Sequence, residues 1–397
     1  MTPRHPELDV VVVGAGPAGC ECARRLADTG FSVMVIEEHA RPGEPVHCTG
    51  VISAHAYSAF DLPPSAIQTE LNAAELTSPG GIALRVHLNG NRAYTVDRTA
   101  VDVALAARAR QAGALFRHHI RAREIKAEGN GVTVTGVRGR EPWRERARAV
   151  VLATGAKSGL PRGAGLAAAS EHMHGAQAQV PVASPDAMQV WLGRGLVPGG
   201  FGWVVPGPAG WSRVGVLTNA KPREALRRIA RRAMNGAAEA LTDTDIRVHP
   251  IPAAARHPTY GDRILSVGDA AGQVKMTTGG GVYYGLLAAG LAADVLEQGL
   301  RRGRLGARHL SQYERLWLDL LGPEQRAGQK LRRFASSLSD ETLDEMFRVA
   351  DRRGLSQYLL DLVDFDWHAR PGMGLLLTVL AAAPTGRGLR WLKRLVR

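Results

Sequence analysis

The chain is poor in cysteine, with three in 397 residues: Cys20, Cys22 and Cys48. These have neither the paired spacing of a zinc site nor the density of a small disulfide-stapled domain. Cys20 and Cys22 lie two residues apart in a predicted helix, where positions i and i+2 face apart, so both are expected to be small packing residues. We therefore predict no metal site and no disulfide framework.

Long apolar runs are also missing. The longest apolar tract, around Met373–Ala383, is much shorter than the roughly 20 residues that a membrane-spanning helix needs. The N-terminus enters a β-branched strand within about ten residues, which is not the pattern of a secretory signal peptide. Repeats and low-complexity tracts are absent too. These absences predict a cytoplasmic protein that is either soluble or bound at a membrane surface.

Acidic residues are outnumbered, since 37 Asp and Glu face 50 Lys and Arg, for a formal net charge of +13. A basic balance suits nucleic acid, anionic substrates or anionic lipid. The sequence shows no nucleic-acid-binding fold and no basic patch interleaved with aromatic residues, so we expect no nucleic-acid partner. The segment 387–397 is basic and amphipathic. It either lies on an anionic membrane or forms a solvated terminal helix.

Glycine, in contrast, is abundant at 46 residues, and its first informative cluster follows the N-terminal strand. Residues 9–13 are an Asp followed by four β-branched valines, a run typical of a strand buried on both faces. The loop after it consists of Gly14, Ala15, Gly16, Pro17, Ala18 and Gly19. A helical pattern and a second strand follow, and Glu37 and Glu38 come at the end of that strand. This order predicts a dinucleotide site, and Glu37 favours FAD or NAD over NADP.

A second glycine-rich segment, 268–281, follows another apolar strand. It opens with Gly268 and Asp269, closes with Gly279, Gly280 and Gly281, and leads into a helical run from Val282. Such a segment can place a carboxylate on a sugar hydroxyl and backbone N–H groups against an anion. The helix N-terminus would also stabilise an anionic reduced flavin. Together, the two segments predict one large nucleotide held at both ends, most simply FAD.

The remaining strands define the predicted fold class. The strand 149–152 closes in Ala-Thr-Gly, as in flavoproteins whose chain returns there to the first sheet. No second full GxGxxG follows a strand, so we expect an external electron donor, either NAD(P)H or ferredoxin. The predicted architecture is α/β: a Rossmann-type FAD-binding domain, an antiparallel-sheet substrate domain and a C-terminal helical region.

The predicted FAD-binding domain is discontinuous and covers 1–62, 98–170 and 252–300. Strand-like alternation in 63–97 and 171–251 predicts the antiparallel sheet that covers the flavin. Helical spacing predicts the C-terminal helical region over 301–397.

Further candidate residues lie near the expected flavin. Cys48, in the loop after Glu37, is a packing residue, a proton donor or a redox partner. Arg98, at the start of a predicted helix, either reaches the flavin or its pyrophosphate or is an ordinary surface arginine. Phe201 and Trp203 alternate on a predicted strand and therefore face the same side. They either wall an apolar pocket or belong to the core.

At these residues the chain resembles the geranylgeranyl reductase family, within the para-hydroxybenzoate hydroxylase-like superfamily of flavoproteins. The family strand P-x-x-Y-x-W-x-F-P reads here Pro198-x-x-Phe201-x-Trp203-x-Val205-Pro206. The family loop C-x-x-G is matched in part by Cys48-Thr49-Gly50, which is one residue shorter. The Gly-Asp-Ala-Ala-Gly segment and the glycine triplet match closely.

The resemblance implies that reduced FAD saturates isolated C=C bonds of a prenyl chain on a lipid, pigment or quinone. It further implies hydride from flavin N5 and a proton from an acid near Cys48. A long apolar channel would be lined in part by Phe201, Trp203 and Pro206. Phe201 replaces the family tyrosine and Val205 the family phenylalanine, which changes the width and polarity of that channel.

Other functions stay open at this point. A monooxygenase or halogenase of the same superfamily would use oxygen, and a halogenase is expected to carry a W-x-W-x-I-P segment. An electron-transfer flavoprotein that reduces a quinone would be supported by an iron–sulfur segment, which three scattered cysteines do not supply. A non-catalytic prenyl-lipid-binding protein is the fourth possibility, and the intact Glu37 and Asp269 argue against it.

Overall fold

The computed structural model describes residues 8–88, 92–167, 171–182, 185–208, 210–233, 241–352, 354 and 364–367. The tract Met373–Ala383 and the segment 387–397 therefore lie outside the described residues. The described strands are β1 Leu8–Val13, β2 Val33–Ile36, β3 Val51–Ser53, β4 Ile67–Leu71, β5 Ala73–Thr77, β6 Ala83–His87, β7 Ala93–Val96, β8 Leu115–Arg117, β9 Ile120–Glu128, β10 Gly131–Arg138, β11 Glu141–Leu152, β12 His172–Val180, β13 Met188–Trp191, β14 Phe201–Pro206, β15 Ser212–Thr218, β16 Arg247–Pro252, β17 Tyr260–Gly261 and β18 Ile264–Ser266. The described helices are α1 Pro17–Asp28, α2 Ala54–Ala59, α3 Arg98–Gln111, α4 Leu160–Gly163, α5 Pro222–Ala233, α6 Val282–Arg302, α7 Ala307–Ser337 and α8 Asp340–Arg352.

The largest described sheet has eight strands, with the main order β17-β18-β11-β1-β2-β8 and the hairpin β9–β10 extending from β11. Strands β18, β11, β1, β2 and β8 pair in parallel. Val10 and Val12 of β1 pack among residues of α1, α3 and α6, while Val11 and Val13 belong to the core on the opposite face. The β-branched run is thus buried on both faces, as predicted. Cys20 and Cys22 are fully buried in the first of these cores.

A second sheet has seven described strands in the order β16-β12-β15-β14-β13-β5-β6. Helix α5 packs on one face, with Leu226 and Ile229 fully buried. The prediction of an antiparallel sheet holds for every pair in it except β13–β5, which is parallel. Between these two strands the chain passes through four strands of the eight-stranded sheet, β8 to β11, and such a crossover permits the parallel direction.

A third, three-stranded sheet, β3-β7-β4, was not predicted. The segment 63–97 divides its strands between two sheets, because β4 and β7 join the small sheet while β5 and β6 join the seven-stranded one. Strand β7 uses both edges, pairing with β3 from the preceding segment on one side and β4 on the other. We keep the domain boundaries given above as a proposal.

Helices dominate the described chain after the second glycine-rich segment. Helix α7 packs along α6 and buries Tyr313 and Trp317 completely, and α8 follows after a short break. Helices were predicted here from spacing, and the described residues confirm them over α7 and α8. Within the described ranges, none of the helices combines the length and apolarity needed to cross a bilayer.

Candidate active site

A cavity of about 1150 Å³ lies where the carboxyl ends of β1 and β2 meet the seven-stranded sheet. Almost all of the predicted site residues line it: Gly14, Ala15, Gly16, Pro17, Ala18, Gly19, Glu37, Glu38, Cys48, Arg98, Phe201, Trp203, Gly268, Asp269, Gly279, Gly280, Gly281 and Val282. Pro206 is the exception, because it is buried at the end of β14 and is not part of the cavity wall. Side chains alternate along a strand, so the wall takes Val205 instead.

Three glycines of the first loop differ in the space that surrounds them. Gly14 has a φ of +108°, and a Cβ there would lie 2.3 Å from the carbonyl oxygen of Ala153. A Cβ on Gly19 would lie 2.1 Å from the carbonyl oxygen of Gly14, so helix α1 can pack closely only with glycine. A Cβ on Gly16 would meet no described atom within 4 Å. The space beside Gly16 is therefore open to a group that approaches the backbone, as a pyrophosphate does.

Glu37 lies across the mouth of this loop. Its Oε2 accepts a hydrogen bond from the backbone N–H of Ala15 at 2.9 Å, and its Oε1 accepts from the backbone N–H of His39 at 2.9 Å. These bonds hold the carboxylate at the carboxyl end of β2, where a ribose is expected. Glu38 is more exposed and pairs loosely with Arg121 at 3.6 Å.

The second glycine-rich segment approaches the cavity from the opposite side. Asp269 lies in a 3₁₀ turn, Gly268–Ala271, and burial raises the pKa of its carboxyl to about 6. A Cβ on Gly281 would lie 2.5 Å from Oδ1 of Asp269, so only glycine fits beside it. Helix α6 starts at Val282 without a side-chain cap on its first N–H groups. Its positive end and these N–H groups open into the cavity.

Cys48 sits between two buried arginines. Its Sγ accepts a hydrogen bond from the backbone N–H of Gly50 at 3.3 Å. A Cβ on Gly50 would lie 3.1 Å from Nη1 of Arg213 and 3.2 Å from Cγ of Arg98. Arg98 pairs with Asp102 at 2.6 Å; burial lowers the pKa of Arg98, but Asp102 and the Cys48 sulfur outweigh burial and leave that pKa raised. Arg98 is thus not a surface residue, and Cys48 interacts with both Arg98 and Arg213.

The aromatic wall of the cavity consists of Phe201 and Trp203, whose ring centroids are 5.4 Å apart. A Cβ on Gly215, the partner of Trp203 in β15, would lie 2.3 Å from the indole Cε2. The indole therefore lies flat across the neighbouring strand. Gly202, between the two aromatic residues, faces the other way, since a Cβ there would lie 2.4 Å from Ile229 of α5.

The cavity wall also contains a buried ion pair that was not predicted from the sequence. The Nζ of Lys275 donates to Oδ1 of Asp366 and to the carbonyl oxygen of Phe365, both at 2.7 Å. The Oγ of Ser53 donates to Oδ2 of Asp366 at 2.5 Å. Lys275 and Asp366 are 7% and 2% exposed, so the pair is shielded from water. Nothing local to either residue signals this contact.

These residues fit a flavin dinucleotide. The open space at Gly16 suits a pyrophosphate, Glu37 and Asp269 suit sugar hydroxyls, and the N-terminus of α6 suits an electron-rich ring edge.

Comparison with known proteins identifies the family of the chain. Residues 8–182 match the family model of pyridine nucleotide-disulphide oxidoreductases. The digeranylgeranylglycerophospholipid reductase 2 of Methanopyrus kandleri is 31% identical over 88% of this chain and 92% of its own length. The chain belongs to the geranylgeranyl reductase family. It is an FAD-dependent oxidoreductase, as the sequence predicted.

Other relatives extend the comparison. The reductase 2 of the same name from Methanothermobacter thermautotrophicus is 30% identical over 88% of this chain and 93% of its own length. The crystal structure of a geranylgeranyl bacteriochlorophyll reductase-like protein from Thermoplasma acidophilum matches 98% of each chain, with a TM-score of 0.81 and 24% identity. A mutant of the halogenase PltM in complex with FAD covers 98% of this chain and 95% of its own, with a TM-score of 0.68 and 14% identity. These two structures share the fold of this reductase.

Proposed function

We propose that this enzyme reduces the C=C bonds of geranylgeranyl-type chains carried by a lipid. The observation that carries the proposal is one continuous cavity, which joins the dinucleotide loops to the aromatic wall of Phe201 and Trp203. Such a wall offers the apolar contact that an isoprenoid chain needs beside the cofactor. The names of the curated relatives agree with an isoprenoid lipid substrate.

Reduced FAD supplies the hydride when it is bound. The chain supplies the remaining functions. The backbone at Gly16 and the N-terminus of α6 would hold the cofactor's polar groups, while Glu37 and Asp269 would accept hydrogen bonds from its sugar hydroxyls. The aromatic wall orients the alkene and excludes water, which an unactivated double bond requires.

Cys48 is the proposed proton donor, because saturation of an alkene takes a proton in addition to the hydride. Loss of that proton leaves a thiolate. The Gly50 N–H already donates to the sulfur, and Nη1 of Arg213 and Cγ of Arg98 lie close to Gly50. The Gly50 N–H would keep its bond to the sulfur while solvent returns a proton.

The electron donor and the location of the enzyme belong to the same proposal. We expect an external donor, NAD(P)H or ferredoxin, because the sequence contains one dinucleotide fingerprint. A cytoplasmic enzyme in contact with the membrane surface would meet its lipid substrate directly. The net charge of +13 supports contact with anionic lipid.

The test is anaerobic reoxidation of the reduced flavin. Photoreduced holoenzyme is mixed with digeranylgeranylglycerophospholipid, and flavin absorbance and product mass are followed. We expect reoxidation only with the lipid and a product heavier by two hydrogens per bond. Trp203→Ala should raise the lipid KM at least tenfold, whereas Trp211→Ala, which changes an indole outside the cavity, should not. Rapid reaction with oxygen and none with lipid would indicate a monooxygenase or halogenase, and purification without flavin would indicate a lipid-binding protein.

A further inference from the structure

On one face of the seven-stranded sheet, the side chains change from aromatic at Phe201 on β14 to imidazole at His249 on β16. Strand register aligns Phe201 with Leu217, Leu217 with Gly175, and Gly175 with His249. Aligned residues of neighbouring strands point to the same face, so Phe201 and His249 both face the cavity, and both line it. Three strand spacings place their backbones roughly 14 Å apart.

The face is continuous between these two ends. Ile251 lies two residues after His249 on β16, so the two side chains point to the same face of the sheet. Ile251 packs with Phe201, Trp203 and Leu217 in one apolar cluster. Gly175 lies beside His249, and a Cβ there would lie 3.0 Å from Cδ1 of Ile251, so the Ile251 side chain packs over this glycine. An apolar chain can therefore run along the wall and end at His249.

His47 and His249 form a stacked imidazole pair. Their ring centroids are 4.7 Å apart with an interplanar angle of 26°. The Nδ1 atoms of both rings are buried and have no hydrogen-bond partner among the described residues. Burial lowers the pKa of both rings, that of His249 to about 4, and the charge of Lys157 lowers both further. The pair is neutral at neutral pH, and each ring has an N–H to donate.

Both imidazole rings and the side chain of Lys157 line the cavity. An acceptor that carries negative charge could therefore take an N–H of each ring and also meet the ammonium group of Lys157. Phosphate oxygens have this chemistry. The dinucleotide's own pyrophosphate has another proposed site, at Gly16, which leaves this end of the sheet to the substrate.

We propose that His47, His249 and Lys157 form a subsite for the phosphate-bearing end of the isoprenoid lipid. The chain then crosses the sheet from the imidazole pair to the aromatic wall. This assignment rests on the proposed function for the identity of the lipid. It adds that the enzyme prefers a phosphorylated lipid over the same lipid without phosphate.

The test compares two lipids that differ only in the phosphate, digeranylgeranylglyceryl phosphate and digeranylgeranylglycerol. Their Kd values for the holoenzyme are measured by equilibrium binding in micelles of fixed composition. His249→Phe keeps a ring to stack on His47 but removes the hydrogen-bonding nitrogens, and Lys157→Met removes the charge. His87→Phe, an exposed change on β6 outside the cavity, is the matched control.

We expect wild-type enzyme to bind the phosphorylated lipid more tightly than the glycerol. Each cavity variant should raise the Kd of the phosphorylated lipid about tenfold or more and that of the glycerol less than twofold, as is typical for loss of a hydrogen bond or charge partner to an anion. The control should change neither. Equal weakening for both lipids, or no wild-type preference, would overturn the subsite. Loss of FAD from the variants would assign the pair to the cofactor's phosphates instead. Because binding is measured without turnover, a wild-type enzyme that binds but does not reduce the lipid counts against the proposed function alone.

Discussion

Gly14 and Gly16 lie two residues apart in one loop, yet alanine should have different consequences at each. Gly14 has a φ of +108° and its Cβ would collide with the carbonyl oxygen of Ala153. Gly16 has a φ of −73° and a ψ of 177°, which alanine adopts freely, and its Cβ would meet no described atom within 4 Å. We expect Gly14→Ala to damage the fold, and Gly16→Ala to damage cofactor binding alone.

The magnitudes follow from these contacts. For Gly14→Ala, backbone strain of about 1–3 kcal/mol and overpacking of about 1–3 kcal/mol give a loss of about 4 kcal/mol. An unfolding entropy of ~2.1 cal/mol/K per residue converts this loss into a fall in Tm of about 5 °C. For Gly16→Ala, the Tm of flavin-free protein should change by about 1 °C or less. The FAD Kd should rise at least about tenfold, or about 1.4 kcal/mol, because the methyl group fills the space beside the loop.

Both variants are compared with wild type after removal of the flavin. Thermal unfolding is followed by circular dichroism, and FAD binding by quenching of flavin fluorescence. If Gly16→Ala binds FAD as tightly as wild type, the open space at Gly16 is not where the cofactor approaches. If Gly14→Ala keeps the wild-type Tm, the loop relaxes and the steric reasoning is wrong.

Three further predictions concern ionisable groups. The pKa of Asp269 in the folded protein, about 6, lies above its ordinary value of 3.8, so ionisation of this carboxyl opposes folding. In urea titrations of flavin-free protein, the free energy of unfolding should therefore fall as the pH rises from about 4 to about 6. The Asp269→Asn variant should show a smaller fall. Cys48→Ala should slow lipid reduction at least tenfold in stopped-flow assays with FAD affinity unchanged, and a wild-type rate would exclude the proton-donor role. Lys275→Met leaves Asp366 buried without its cation and should cost about 3–5 kcal/mol in urea unfolding, whereas exposed Lys330→Met should cost little.

Features set by neighbouring residues were predictable from the sequence. The run 9–13, its glycine loop and the acid at Glu37 are local patterns, and each has the predicted structure. The family resemblance placed Pro206 in the channel wall, whereas the alternation of side chains along β14 correctly predicts that it lies outside the cavity. Alternation puts Pro206 on the face opposite Trp203.

Contacts between distant segments left no local signal. Lys275 meets Asp366 across 91 residues, and Ser53 meets it across 313. The stacked pair His47–His249 likewise depends on packing of a loop against the edge of a sheet. In the sequence, each of these residues is indistinguishable from an ordinary polar residue, because only the assembled fold determines which partner its side chain contacts.

The ion pair of Lys275 and Asp366 also bears on the order in which the site is built. Ribosomes make proteins from the N-terminus, so both glycine loops emerge before Asp366 does. Until then, Lys275 lacks its counter-ion, and the part of the cavity wall that Phe365 contributes has not been made. During synthesis, the residues that recognise the cofactor are thus complete while that side of the cavity is still open to water. An FAD molecule that binds at this stage would enter before that part of the wall is in place.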